Sequence, residues 1–150
     1  MRNCLKKLVK KLFPWLNPSE HIYTLYKKAK KNQDNIILSK YYSSKISKKY
    51  ACYISPKADI GKGLLLPHPT GIVIGEGVKI GNDCTIYQNV TLGRKTKNYA
   101  EYPIIGNNVI VYCNSVIIGN VTIGDNCIIG CNSTVLKSIK SNSTCTGVVK

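Results

Sequence analysis

The chain contains two histidines, and only His68 lies in the repetitive part of the sequence, within the segment LPHPTG at residues 66–71. An imidazole can be neutral near physiological pH, so it can accept a proton from a hydroxyl group as a general base. His68 follows the aliphatic Leu66 by two residues, on a face that we expect to point outward. Gln88 is expected to stand beside it one coil later. The alternative is a surface histidine without a chemical role.

The elements that would position His68 are defined by a six-residue repeat. Neither a helix of 3.6 residues per turn nor an alternating strand produces this spacing over about 80 residues, whereas a parallel β-helix of hexapeptides does. Three six-residue steps complete one triangular coil. A second inward position, filled by a small or apolar residue such as Thr70, is expected four residues after each leading aliphatic residue. The leading residues are Ile54, Ile60, Leu66, Ile72, Ile74, Ile80, Ile86, Leu92, Ile105, Val111, Ile117, Ile123, Ile129 and Val135.

The spacing also predicts corners, a loop and an assembly. Glycines such as Gly61 and Gly81 directly follow leading residues, asparagines such as Asn126 and Asn132 lie nearby, and we expect both residue types to supply positive φ at tight corners. Leu92 and Ile105 are separated by 13 positions instead of six, which predicts a loop projecting at about residues 94–103. A rod of four to five coils leaves flat sides exposed, so we expect a homotrimer.

Residues 1–50 form a basic helical arm, and residues 51–150 form the repeat domain. The arm holds 13 Lys and Arg residues against two acidic ones. Residues 5–16 fit an amphipathic helix whose apolar face covers the rod or whose lysines contact anionic lipid. Residues 19–31 are predicted to form a second helix with Ser19 as its cap. Tyrosines lie among the lysines, but no nucleic-acid-binding module accompanies them, so no nucleic-acid partner is expected.

Composition excludes several classes of protein. No apolar run approaches the roughly 20 residues that a membrane-spanning helix needs. No secretory leader is recognised, so the chain is expected in the cytoplasm, with possible contact of the arm at the inner face of the membrane. The seven cysteines include no CxxC pair, and with two histidines they predict no metal site. Cys113 and Cys131 are separated in sequence by one coil length, as are Cys127 and Cys145, and both pairs are interpreted as packing residues on consecutive coils.

Residues 54–149 resemble the hexapeptide-repeat acyltransferases, and within them the serine acetyltransferase branch. The resemblance implies a left-handed parallel β-helix, a homotrimer with active sites between neighbouring subunits, and acetyl-CoA as co-substrate without a metal. A zinc-dependent hydratase of the same repeat fold would need several histidines. The matching segments are IGKGL at 60–64, HPTGIVIGE at 68–76, TIYQNVTLG at 85–93, VLK at 135–137 and NST at 142–144.

The resemblance implies a role for His68 and a set of cofactor contacts. His68 would take the proton of an acceptor hydroxyl, the oxygen would attack the thioester carbonyl, and CoA would leave as the thiol. By matching position, the cofactor would contact Gly93 and Arg94 at the loop base, Cys113 on the rod, and Lys137 near its end.

Departures from the serine acetyltransferase pattern concern the acceptor. Pro67 and Tyr53 stand where that branch has acidic residues, and Glu101 and Tyr102 replace a basic pair in the loop. These changes, with the short N-terminal segment, favour an acetyltransferase acting on sugar hydroxyls of a surface polysaccharide such as capsule, exopolysaccharide or lipopolysaccharide. The acceptor glycan would be held by Gln88, Asn89 and Tyr102. The alternatives are a serine O-acetyltransferase of cysteine biosynthesis and a catalytically silent rod that binds a partner or a membrane.

Overall fold

A computed structural model describes residues 17–96 and 101–150. The helix expected over residues 5–16 lies outside these ranges. Two helices, α1 (Pro18–Lys31) and α2 (Ile36–Tyr50), precede a series of short strands. The strands are β1 (Tyr53–Ile54), β2 (Asp59–Ile60), β3 (Val73–Ile74), β4 (Lys79–Ile80), β5 (Thr85–Ile86), β6 (Thr91–Gly93), β7 (Ile104–Ile105), β8 (Ile110–Val111), β9 (Val116–Ile118), β10 (Thr122–Ile123), β11 (Ile128–Ile129), β12 (Thr134–Val135), β13 (Thr144–Cys145) and β14 (Val148–Val149).

The strands form three parallel sheets that are the three sides of a prism. The first side contains β1, β3, β6, β9, β12 and β14, the second β2, β4, β7 and β10, and the third β5, β8, β11 and β13. The chain visits the sides in this order and returns to the first after each coil. Each pair is in register, as in Ile74 opposite Leu92 and Leu92 opposite Ile117. The structure therefore shows the parallel β-helix that the six-residue spacing predicts.

The prism is filled by the aliphatic residues that recur every six positions. All fourteen of them are buried, and nine have no exposed surface. Because each side alternates one inward and one outward residue, a single large side chain per strand is enough to fill the centre. Burying an aliphatic side chain contributes about 1.5–3 kcal/mol, so this column supplies most of the driving force for coil formation.

The glycines that follow the leading residues do not supply the positive φ that the sequence predicts, but allow neighbouring coils to pack closely. Positive φ occurs mainly at aspartate and asparagine corners such as Asp83 and Asn108, not at the glycines that follow the leading residues. A Cβ atom on Gly61 would lie 2.6 Å from the carbonyl oxygen of Gly81, and one on Gly81 would lie 2.6 Å from that of Gly106. These glycines are required because the next coil passes too close for a side chain.

Polar corner side chains also connect successive coils. The backbone N–H of Asn82 donates to Oδ1 of Asn107 at 2.9 Å, and that of Asn107 donates to Oδ1 of Asp125 at 2.6 Å. Each corner thus satisfies a backbone donor of the coil below, which the sheet hydrogen bonds leave unpaired.

Helix α1 begins differently from the prediction. Asn17 is the N-cap, because its side-chain oxygen accepts a hydrogen bond from the N–H of Glu20 at 3.4 Å. The hydroxyl of Ser19 instead donates to the carbonyl of Leu66 at 2.9 Å and accepts from the N–H of Leu66 at 2.9 Å. Ser19 therefore fixes the helix to the coil that carries His68.

The inner face of α1 covers the first coil of the rod. Ile22 and Tyr26 are buried in the same apolar core as the repeat residues. The hydroxyl of Tyr26 donates to the carbonyl of Ala58 at 2.8 Å, and Lys30 forms an ion pair of 2.7 Å with Asp59. The helix thus closes the open end of the stack, which an exposed repeat requires. Within the described ranges, no helix has the length and apolar character needed to cross a bilayer.

Candidate active site

His68 lies on a two-residue bulge between the third and first sides of the prism. Leu65 pairs with Thr85, which is 20 positions later in the sequence, whereas Val73 pairs with Thr91, which is 18 positions later. The two extra residues are inserted between these pairs. Thr70, expected to point inward, is exposed, and Ile72 is buried in its place. Bulges of this kind redirect side chains near functional sites, and this one places His68 at the surface.

The imidazole of His68 contacts an aromatic column. Its ring centroid lies 6.2 Å from that of Tyr87, and the ring of Tyr87 stacks on that of Tyr112 at 5.0 Å. Among the residues that the structure describes, no side chain forms a hydrogen bond with the imidazole. The nitrogen atoms of His68 are therefore accessible to a substrate hydroxyl, and the ring of Tyr87 restricts the imidazole on one side.

Gln88 and Asn89 follow Tyr87 at the same corner and have different surroundings. Oε1 of Gln88 is buried and has no hydrogen-bond partner among the described residues. Asn89 has φ of 58°, and its amide donates to Oδ1 of Asn114 at 3.0 Å. Asn89 thus has a structural role at the corner, whereas the buried Oε1 of Gln88 is left without a donor among the described residues.

Cys113 lies at this corner one coil further on. The register of Ile86 with Val111 places it after Gln88 in the column, and the N–H of Asn132 donates to its carbonyl at 2.9 Å. Cys113 is half-buried and its thiol is free. A small side chain at this position keeps the surface of the column open.

A second group of predicted residues surrounds a cleft of about 310 Å³ at the corner between the first and second sides. Gly93, Arg94, Tyr102 and Glu76 line this cleft. The hydroxyl of Tyr102 donates to Oε1 of Glu76 at 3.2 Å. Desolvation and then the Glu76 carboxylate raise the pKa of Tyr102, against an opposing effect of Arg94. Lys137 follows β12 at the same corner and is exposed.

The predicted site residues therefore fall into two groups within one chain. His68, Gln88, Asn89 and Cys113 share the corner that leads into the first side, and Gly93, Arg94, Tyr102 and Lys137 share the corner that leaves it. One strand of the first side separates the two corners in each coil.

Three residues near these groups were missed by sequence reasoning. Tyr87 and Tyr112 are separated in sequence by one coil plus the loop insertion, so this count could have predicted their stacking. Glu76 accepts from Tyr102 and forms an ion pair of 3.5 Å with Lys57, and its position in the repeat does not predict either contact.

The family described as "Bacterial transferase hexapeptide (six repeats)" matches residues 102–137. Serine acetyltransferase of Buchnera aphidicola subsp. Acyrthosiphon pisum is 44% identical over 113 residues, which are 74% of this chain and 41% of that protein. Serine acetyltransferase 1, chloroplastic, of Arabidopsis thaliana is 41% identical over 126 residues, 83% of this chain and 38% of that protein. The chain thus spans about two fifths of the length of these relatives.

Solved structures of serine acetyltransferases superimpose on both the helices and the rod. One, in complex with cysteine, has a TM-score of 0.83 at 34% identity and covers 90% of this chain and 54% of its own. Another, from Brucella abortus strain S19 in complex with coenzyme A, has a TM-score of 0.84 at 31% identity and covers 88% of this chain and 54% of its own. The expected left-handed parallel β-helix is confirmed.

The prediction of a sugar acceptor in surface polysaccharide is wrong, because the relatives and the structural neighbours are serine acetyltransferases. The structure removes part of its basis. Tyr102 is hydrogen-bonded to Glu76, and Asn89 is engaged at a corner. The short N-terminal segment does not favour a sugar acceptor, since the matched region covers only part of each relative. Residues 102–137 match the hexapeptide-repeat transferases, and the chain resembles their serine acetyltransferase branch.

Proposed function

We propose that this protein is a serine O-acetyltransferase that uses acetyl-CoA. The observation that carries the proposal is the exposed His68, presented on a bulge within a region that is 41–44% identical to serine acetyltransferases. The structural neighbours include one bound to coenzyme A, which supports the choice of co-substrate.

In the proposed reaction, His68 acts as the general base. A nitrogen of the neutral imidazole accepts the proton of the serine hydroxyl while the oxygen attacks the thioester carbonyl of acetyl-CoA. The carbon–sulfur bond then breaks, and the imidazolium returns its proton to the departing sulfur. The products are O-acetylserine and the free thiol of CoA, so the reaction consumes no other reagent.

The rod offers a suitable surface for the cofactor. A Cβ atom built on Gly93 would have no atom of residues 17–96 and 101–150 within 4 Å, so this part of the chain leaves the backbone open to a ligand. Arg94 lies beside it in the cleft, and Lys137 lies at the same corner toward the end of the rod. These cations would suit the phosphate groups of CoA. Cys113 would allow close approach of the cofactor at the other corner.

The cleft also offers a partner for one charge of a zwitterionic acceptor. Glu76 lines it with a carboxylate. We assign the ammonium group of serine to Glu76, whose Oε1 already accepts from Tyr102. This contact would supply a negative charge that the matching positions Pro67 and Tyr53 no longer provide.

We also propose a homotrimer with each active site between two subunits. The separation of His68 and Arg94 at two corners of one chain supports this arrangement. Mixing a His68→Ala chain with an Arg94→Ala chain, each expected to be inactive alone, should restore part of the activity. Activity can return only if one site combines the intact His68 corner of one chain with the intact Arg94 corner of another. Its absence from a mixture shown to exchange subunits would contradict the shared site.

The acceptor is tested by the release of thiol from acetyl-CoA in the presence of different hydroxyl compounds. L-serine should be turned over in preference to D-serine, L-threonine and a panel of neutral sugars. Loss of turnover in the His68→Ala variant ties the signal to this site. A chain that consumes acetyl-CoA with none of these acceptors would instead fit the silent rod.

A further inference from the structure

A second pocket lies between α1 and α2 on the outer side of the helix pair. Its volume is about 530 Å³, within the range of small-molecule sites. Leu25 and Tyr42 form its apolar part. Its charged lining consists of Lys28, Lys45, Lys48 and Lys49, with His21 at the wall. None of these residues belongs to the proposed active site.

The positive charge of this pocket is not compensated. Residues 18–50 contain eight lysines and two acidic residues, Glu20 and Asp34. Across residues 17–96 and 101–150, the ion pairs made by lysines are Lys30 with Asp59 and Lys57 with Glu76. None of the four pocket lysines therefore has a carboxylate partner within the described chain. Four converging cations without counter-charges lower the stability of the helix pair unless an anion binds.

Aromatic rings hold three of the pocket lysines in defined positions. The ammonium of Lys28 lies 5.7 Å from the ring centroid of Tyr42, and that of Lys49 lies 5.5 Å from that of Tyr50. Lys45 lies 4.5 Å from the ring of Tyr41. Such cation–π contacts restrict long side chains, so less conformational entropy is lost when a ligand binds.

His21 reports the electrostatic field of the pocket. Its Nδ1 lies 2.7 Å from the hydroxyl of Tyr50. Burial lowers the pKa of His21, and Lys49, Lys45 and Lys28 lower it further. The imidazole thus faces cations from both helices, which favour its neutral form, whereas a bound anion would favour its protonated form.

We propose that this pocket binds a phosphate-bearing anion. A single carboxylate would leave most of the lysine charge uncompensated, whereas a phosphate group carries up to two charges and accepts several hydrogen bonds. Lysine binds phosphate as a point charge, which suits the several ammonium groups that line this open cavity. The phosphate belongs to a free small molecule or to the headgroup of an anionic lipid. The proposal does not depend on the acetyltransferase function.

The first test is an NMR titration of the imidazole signals with inorganic pyrophosphate. The chain has only two histidines, so the signal of His21 is easily assigned, and that of His68 serves as a reference. We expect pyrophosphate to raise the pKa of His21, because the anion offsets the charges of Lys28, Lys45 and Lys49. The second test measures retention on equimolar phosphatidylglycerol–phosphatidylcholine vesicles, compared with phosphatidylcholine alone.

A matched pair of triple variants separates the pocket from general charge. Lys28, Lys45 and Lys49 are changed to Gln in one variant, and Lys27, Lys31 and Lys40 in the other. Both lose the same charge from the same helices, but only the first set lines the pocket. The pocket variant should lose at least about tenfold in affinity, since each hydrogen bond to a charged group is worth about 1.5–3 kcal/mol. Thermal unfolding confirms that both variants are folded.

The outcomes identify the source of the phosphate or overturn the proposal. If pyrophosphate raises the pKa of His21 in the native chain and in the control triple variant, but not in the pocket variant, the ligand is a free phosphate-bearing molecule. Vesicle retention with the same variant dependence, without a response to pyrophosphate, indicates a lipid headgroup. Equal losses in the two triple variants would overturn the proposal, because binding would then follow net charge. An unchanged His21 signal together with no specific vesicle retention would also overturn it.

Discussion

The imidazole of His68 and the ring of Tyr87 lie on successive coils with their centroids 6.2 Å apart and their planes inclined by 52°. Tyr87 in turn stacks on Tyr112 with an interplanar angle of 21°. Since no described side chain hydrogen-bonds the imidazole, this ring contact is the main restraint on its orientation. We therefore interpret Tyr87 as a positioning residue for His68.

Removing the ring of Tyr87 should lower the rate of catalysis. Aromatic pairs contribute about 0.5–1.5 kcal/mol beyond burial, so Tyr87→Ala should reduce kcat about two- to tenfold. The matched control is Tyr87→Phe, which keeps the ring and loses a hydroxyl that has no hydrogen bond to any of the described residues. A purely structural role would lower thermal stability without a selective fall in kcat. Equal kcat values for the Ala and Phe variants would contradict the positioning role.

Glu76→Gln should weaken binding of the acceptor. Gln keeps the size of the side chain and can still accept from Tyr102, but it loses the charge assigned to the ammonium of serine. A charged hydrogen bond is worth about 1.5–3 kcal/mol, so the KM for L-serine should rise about tenfold or more. The KM for acetyl-CoA should stay within error in the same steady-state experiment. A rise confined to acetyl-CoA would place Glu76 on the cofactor side of the cleft.

Coil spacing can be tested at two glycines of similar position. Gly81→Ala places a Cβ against the carbonyl of Gly106, and relief of this contact requires the backbone to move. Overpacking of this kind costs about 1–3 kcal/mol, which chemical denaturation will measure. Gly93→Ala is the control, because none of the described residues has an atom within 4 Å of the added Cβ. Equal losses of stability in the two variants would argue against close approach as the reason for glycine at position 81.

The ion pair between Lys30 and Asp59 should make stability depend on pH in the acidic range. The hydrogen bond and the charge of Lys30 lower the pKa of Asp59. Burial works to lower the pKa of Lys30, but the bonds with Asp59 and Tyr26 outweigh it and raise the pKa. A carboxyl whose folded pKa is depressed stabilises the fold above its unfolded pKa, about 3.9, and this contribution is lost as the pH falls through the folded value.

The measurement compares unfolding free energies of the native chain and the Asp59→Asn variant between pH 7 and pH 2. The difference should be constant above about pH 5 and should vanish toward the acidic end. It should not exceed about 1 kcal/mol, because Asp59 is 73% exposed and solvent screens the pair. A difference that persists unchanged at the lowest pH would show that the pair does not act through charge.

The rod was predictable from the sequence because each coil has the same requirement. One inward aliphatic residue per side must recur every six positions, and all the residues selected in this way are buried. The count detected two extra residues but placed them between Ile72 and Ile74, whereas the structure inserts them before Ile72, beside His68. The inward position of Thr70 was mispredicted, because counting in steps of six does not show whether the extra residues come before or after it.

The grouping of site residues was harder to predict. His68 could be recognised from its residue type and motif, but the position of a cleft depends on which corner each residue occupies. The engagement of Tyr102 with Glu76 joins residues 26 positions apart across the loop. The basic pocket depends on how α1 and α2 pack, and the N-cap of α1 proved to be Asn17 because Ser19 bonds to Leu66.

The central claim is that His68 removes the proton from the serine hydroxyl. The most direct measurement is the rate of thiol release from acetyl-CoA with L-serine by the native chain and by His68→Ala, at saturating substrates. The side chain is exposed, so the variant should fold normally, and its kcat should fall by about 10² to 10⁴, the usual contribution of a general base. A folded His68→Ala variant with the native kcat would contradict the account.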